Sequence, residues 1–252
     1  MNSYSRIIDL EQPRFSGMPI HPAHMPGYFY ALHRRHSDVT GTARTSASGV
    51  LTMMEHTGTH IDALSHQAAH GCLHGGIVAE SVEGPAGFKA GGVEEIPPMV
   101  TRGVLIDLAS AGRLPERYEF TADDLEANLK TRPEKGDVLL VRTGYDKLWN
   151  EPEAYLRSAG AHKSASIWAA DHGLLAVGAD NMAWDVPGVV DAESGVTLFA
   201  HFYLLPQKGI YIIENLKLDE LSAFGQDTFT FICLPLKLLG ATGSPVRPVA
   251  LL

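Results

Sequence analysis

The eleven residues from His56 to His66, reading His-Thr-Gly-Thr-His-Ile-Asp-Ala-Leu-Ser-His, constrain this chain more than any other stretch. They hold three imidazoles and one carboxylate. Thr57, Thr59 and Ile61 are β-branched and Gly58 is a poor helix former, so the segment is expected to run extended. Alternate side chains of an extended chain point the same way, which puts His56, His60 and Asp62 on one face with Gly58 leaving room between them. Two neutral nitrogens and one anionic oxygen suit a borderline divalent cation. Asp62 is then expected to cap a short helix over 63–70, ended by Gly71, with His66 one turn beyond the ligands and free to move protons. An ordinary histidine-rich loop is the alternative, but buried polar groups are costly and rarely cluster without a partner.

The rest of the composition sets outer bounds. A chain of 252 residues, 45% hydrophobic and 19% charged, is expected to fold as one soluble domain over 1–252. Its net charge of −9 comes without a dense run of Lys or Arg, which argues against nucleic acid and anionic membrane surfaces as partners. Cys72 and Cys233 make no disulfide framework, so a reducing cytoplasm is the expected location. Cys72 lies close enough in sequence to the histidines to be a soft ligand, though small apolar filler is its simpler role. No charged-then-apolar opening resembles a signal peptide, and no apolar run is long enough to span a bilayer.

Strands are expected at 6–10, 45–54, 104–108, 137–142, 176–180, 209–214, 229–234 and 246–251. Between them, Thr121 is expected to cap a helix whose first turn carries Asp123 and Asp124. Residues 151–174 read as two helices broken near Gly160, and 194–205 as a helix containing His201. Strands and helices interleave throughout, so the class is α/β. Residues 71–92 read mostly as loop. An extended loop over 11–30, rich in Pro and Gly, carries Phe15, His21, His24, Tyr28, Phe29 and Tyr30 and is placed to close over a flat substrate.

The His56–His66 stretch resembles the signature of the cyclase-like metal-dependent hydrolases, a family that includes bacterial kynurenine formamidase and isatin hydrolase. That signature runs His-x-Gly-Thr-His-x-Asp-x-Pro-x-His, and this chain departs from it at Leu64, where the family has Pro. Ile8-Asp9-Leu10 followed by Gly17-Met18-Pro19 resembles the family's N-terminal segment. The resemblance implies the swivelling β/β/α fold, a mixed sheet with flanking helices. It implies that His201 and Glu214, a His and a Glu flanking an apolar strand, complete the metal site. It also implies a homodimer, and an acidic residue after the 176–180 strand near the active-site wall.

A divalent ion held by His and carboxylate groups, with positions left open, is an arrangement for activating water and polarising a carbonyl. The ligand set suits Zn²⁺ or Mn²⁺, one ion or two per subunit. His66, unligated and adjacent, is the expected general acid and base. The expected substrate is a small-molecule amide, opened if cyclic: isatin-like or a γ-lactam. The continuation Ala63-Leu64-Ser65-His66-Gln67 resembles the isatin hydrolase branch, and the chain is long for a compact formamidase. Phe15, Phe29, Tyr30 and Trp184 are candidate walls for a flat ring. Hydrolysis of N-formylkynurenine is the alternative substrate reading. A redox metalloenzyme using two His and a carboxylate, and a metal that only holds the fold, are the other classes the ligand types allow. No Gly-x-Ser-x-Gly elbow, phosphate-cradling loop or dinucleotide fingerprint is present.

Overall fold

The computed structural model describes residues 4–252. The N-terminal part holds β1 (Ile7–Asp9), β2 (Phe29–Arg34), β3 (Ser48–Thr52), β4 (His60–Asp62), β5 (Cys72–Leu73), β6 (Ile77–Val78), α1 (Ala79–Val82) and β7 (Met99–Asp107). The middle holds β8 (Glu119–Phe120), α2 (Ala122–Asn128), β9 (Val138–Arg142), α3 (Pro152–Tyr155), β10 (Gly160–Ala161), α4 (Lys163–Asp171) and β11 (Ala176–Ala179). The remainder is α5 (Phe199–Tyr203), β12 (Tyr211–Glu214), α6 (Asp219–Phe224), β13 (Thr228–Cys233), β14 (Gly243–Pro245) and β15 (Val249–Leu251).

Nine strands form one mixed sheet in the order β1-β15-β13-β7-β9-β11-β12-β4-β14, so the class is α/β as the interleaved pattern predicts. The centre, β7-β9-β11-β12, is parallel, and the strands outside it pair antiparallel. Parallel strands are covered on both faces, and β9 is accordingly buried at every residue. The two-residue period of a strand divides its side chains between two cores. Val138, Leu140, Ala176 and Ile213 pack on one face, and Leu139, Val141, Val177 and Ile212 on the other. No helix among the described residues is long and apolar enough to cross a membrane.

Local signals explain the element ends. Thr121 accepts from Asp124 N at 3.2 Å while the Asp124 carboxylate accepts from Thr121 N at 2.8 Å, a reciprocal cap that starts α2. The expected helix over 63–70 is absent. Its intended cap, Asp62, is turned into the sheet, where it accepts from His56 Nδ1 at 2.7 Å. Residues 63–71 instead run as turns, closed by His66 N donating to Ala63 O and Ser65 N to Gly91 O. The expected helix over 194–205 is shortened to α5, then widens into a π-type turn over Leu204–Lys208.

Candidate metal centre

Antiparallel pairing of β4 with β12 sets His60 directly opposite Glu214 and Asp62 opposite Ile212. His60 and Asp62 are two residues apart in a strand, so they share a face. α5 brings His201 onto the same spot. His60 Nε2 lies 3.3 Å from Glu214 Oε2 and 3.5 Å from Asp62 Oδ1. His201 Nε2 lies 3.2 Å from Glu214 Oε1 and 3.4 Å from Asp62 Oδ2. Four side chains from three distant segments thus converge, and all are buried.

The second nitrogen of each ring is already engaged. His60 Nδ1 donates to Gly58 O at 2.7 Å, and His201 Nδ1 donates to Asp185 Oδ2 at 2.9 Å. Both Nε2 lone pairs are therefore turned toward the carboxylates. Asp62 Oδ2 and Glu214 Oε1 are buried and have no hydrogen-bond partner among the described residues. An unpartnered buried carboxylate oxygen is costly unless a cation meets it. Donors about 2.0–2.1 Å from one tetrahedral ion lie roughly 3.4 Å apart, which matches the separations here. The donor set fits a divalent ion.

The electrostatics lead to the same conclusion. Burial resists charge on His60, but the adjacent carboxylates of Asp62 and Glu214 outweigh this and raise its pKa. His201 is raised well above the ordinary imidazole value, because Asp185, Asp62 and Glu214 overcome the same burial penalty. Burial would lift the Asp62 carboxyl, yet the surrounding imidazoles hold it well below its usual range. The site favours positive charge between two anions.

His56 also reaches this group: His56, His60 and Asp62 present donor atoms within 4.8 Å of one another. Its Nε2 lies 2.9 Å from Thr242 Oγ1, while Nδ1 faces Asp62. The His66 ring lies beside it, with centroids 4.0 Å apart, and 5.9 Å from that of His201. Burial, reinforced by the imidazoles of His56, His201 and His60, keeps the His66 pKa well below the ordinary value despite Asp62. His66 is thus a neutral imidazole at the mouth of the centre, placed by a turn rather than a helix.

A cavity of ≈ 130 Å³ opens over these groups, walled by His21, His24, Gln67, Met182, Ala183 and Leu198. A larger one, ≈ 300 Å³, lies across Asp185 and Leu198, and none of the candidate ligands lines it. Of the expected aromatic walls, none lines the smaller cavity. Trp184 is fully buried, edge-on to Phe120 with its indole N–H on Ser166 Oγ. Phe29 and Tyr30 stand exposed on the β2–β3 hairpin. Phe15 is partly buried against the apolar cluster that includes Met18, Trp149 and Met182, and does not line the cavity. The wall contributed by the 11–30 loop is histidine instead: His24 stacks on His56 at 4.8 Å. Asp180 does not reach the cavity, because its carboxylate is held by Thr143 and Gly144 backbone N–H groups. Asp185 and Thr242, which hold His201 and His56, carry no spacing signal in the sequence. His21 and His24 are visible there only as residues of the loop.

A family model named Cyclase, described as "Putative cyclase", matches residues 8–186. The chain belongs to the cyclase family. The match spans His56 to His66 but ends before His201 and Glu214, so their membership of the site rests on the geometry above. A kynurenine formamidase of Paracidovorax citrulli is 26% identical over 96% of this cyclase-family chain and 94% of its own length. A solved structure described as a novel cyclase is 28% identical and superposes with a TM-score of 0.87, covering 98% of this chain and 87% of that one. Isatin hydrolase A from Ralstonia solanacearum shares the fold, with a TM-score of 0.75 at 23% identity and coverage of 98% and 92%.

Proposed function

We propose that this cyclase-family protein is a metal-dependent hydrolase of amide C–N bonds, and that it opens a small cyclic amide, isatin-like or a γ-lactam. The observation that carries the reading is the convergence of His60 and His201 on the unpartnered oxygens of Asp62 and Glu214, beside a neutral His66. His60, Asp62, His201 and Glu214 would hold the ion, with His56 bridging to it through Asp62 or as a ligand. Zn²⁺ and Mn²⁺ both match these donors. When bound, such an ion lowers the pKa of water and polarises a carbonyl.

The chain's own residues do the rest. His66 is an uncharged imidazole lining the cavity, so it is placed to take the proton released as water adds to the carbonyl carbon. The C–N bond then breaks, and His66 returns that proton to the departing nitrogen. Asp185 keeps His201 in one tautomer throughout. The apolar side of the cavity, Met182, Ala183 and Leu198, suits the face of a flat ring. A cavity of ≈ 130 Å³ is small against the several hundred Å³ that larger ligands need, which favours a compact substrate.

The name of the Paracidovorax relative favours a second reading, hydrolysis of N-formylkynurenine, with the same residues in the same roles. Comparing kcat/KM for isatin, a bicyclic γ-lactam and N-formylkynurenine on one metal-loaded sample separates the two. A preference for the cyclic amides is expected. A clear preference for the open-chain formamide reverses the choice of substrate and leaves the metal chemistry standing. Full turnover by a metal-free preparation sinks both.

A further inference from the structure

Gly58 occupies an awkward place in the centre. It separates His56 from His60, its φ is +69°, and its carbonyl is what fixes the His60 ring. A glycine constrains its own peptide plane least of all residues, so this carbonyl needs an outside anchor to hold its direction. The anchor on the page is Asn215. Its Nδ2 donates to Gly58 O at 3.0 Å, so that oxygen receives both the amide and His60 Nδ1–H.

Which way the Asn215 amide points is decided by its neighbours. A carbonyl oxygen only accepts, so Nδ2 must face Gly58, and Oδ1 must face Tyr155. Tyr155 Oη donates to that Oδ1 at 3.0 Å. The main chain of Asn215 is pinned as well: its N–H donates to Asn181 O at 2.9 Å, and its carbonyl accepts from Thr59 Oγ1 at 2.6 Å. Tyr155 and Asn215 are both buried, so none of these groups can trade its partner for water. Asn215 also has φ +56°, a left-handed conformation that asparagine tolerates better than most residues. It directly follows Glu214, so one backbone turn serves both the carboxylate and the anchor.

We infer that Tyr155 and Asn215 are positioning residues for the metal centre: through Gly58 O they set the tautomer and aim of His60. The chain of contacts is Tyr155 hydroxyl, Asn215 amide, Gly58 carbonyl, His60 imidazole. This rests on the reading of His60 as a ligand, and it adds two residues that touch neither ion nor substrate.

Tyr155→Phe removes one hydroxyl and keeps the buried ring. Asn215→Gly keeps the left-handed backbone and removes the amide, so it parts the anchor from the conformational role. Zn²⁺ affinity is measured for both and for wild type by competition with a chromophoric chelator. Metal-free samples carrying ¹⁵N-histidine are examined in parallel for the His60 Nδ1–H signal. Wild type is expected to show a protected Nδ1–H. Both variants should weaken Zn²⁺ binding by roughly 10–100-fold, as loss of outer partners of a ligand does elsewhere. Both should also lose or broaden the Nδ1–H signal while near-ultraviolet circular dichroism is unchanged. Should Asn215→Gly fail to fold, Tyr155→Phe decides alone. Unchanged affinity and an unchanged Nδ1–H in a folded variant overturn the inference. A wild type that shows the protected Nδ1–H but binds no Zn²⁺ overturns the ligand reading instead.

Discussion

At the scale of single residues, His66 is where local reading and structure part most usefully. Its proximity to the candidate ligands is legible in the sequence, because only three residues separate it from Asp62. The means of placing it is not. The cap that would have started a helix is spent on His56, and a turn does the work instead. His66→Ala is expected to retain the ion and to lose roughly 10²–10⁴ in kcat, the usual range for proton-transfer catalysis. Metal content and kcat measured on the same sample check this, and a variant without metal would make His66 a ligand. Asp185 shows the opposite limit. It determines the orientation of His201, yet nothing near it in sequence marks it, since its partnership exists only once α5 has folded back.

At the scale of elements, the buried strands were readable from their apolar runs, and β9 and β12 fall within a residue or two of expectation. The aromatic walls were not readable, because a ring's identity does not say which side of its backbone faces a cavity. Trp184 went to the core and Phe29 to the surface, while the imidazoles of His21 and His24 took the wall. The entry to β4 supports a sharper expectation. An alanine Cβ at Gly58 would sit 3.0 Å from Arg14 Nε in a left-handed backbone. Gly58→Ala should therefore cost about 1–2 kcal/mol in urea unfolding. Thr121→Ala, which removes only the α2 cap, should cost about 1 kcal/mol without changing Zn²⁺ affinity. Gly58→Ala with wild-type stability and affinity would refute the strain argument.

At the scale of the whole molecule, one buried group links stability to pH away from the centre. Burial, joined by the charge of Asp146, pushes the Asp180 carboxyl up to about 7, against hydrogen bonds from Thr143 and Gly144. The folded chain therefore holds a proton there that the unfolded chain, with its ordinary carboxyl, releases near pH 4. Stability should fall as pH rises from about 4 to 7 and change little from this source beyond it. Asp180→Asn removes the titration, so unfolding followed at pH 5 and pH 8 should show a smaller difference than wild type, whatever the variant's absolute stability. An unchanged difference would exclude Asp180 as the source. Metal removal acts on the whole fold as well. Ions at a hundred times their dissociation constant stabilise by about 2.7 kcal/mol, so chelation should lower Tm by roughly 5–10 °C in a chain of this size.

The place of β4 between β12 and β14 has a consequence for how the protein is made. Histidines 56 and 60 leave the ribosome early, yet both strands that flank β4 belong to the last quarter of the chain. Glu214 faces His60 across that late seam, and Thr242, just before β14, braces His56. A nascent chain stalled before residue 201 carries the whole His56–His66 signature, but neither strand that pairs with β4 and only part of the candidate donor set. Assembly of the proposed centre is thus a late event in synthesis, waiting on the last strands to clasp β4.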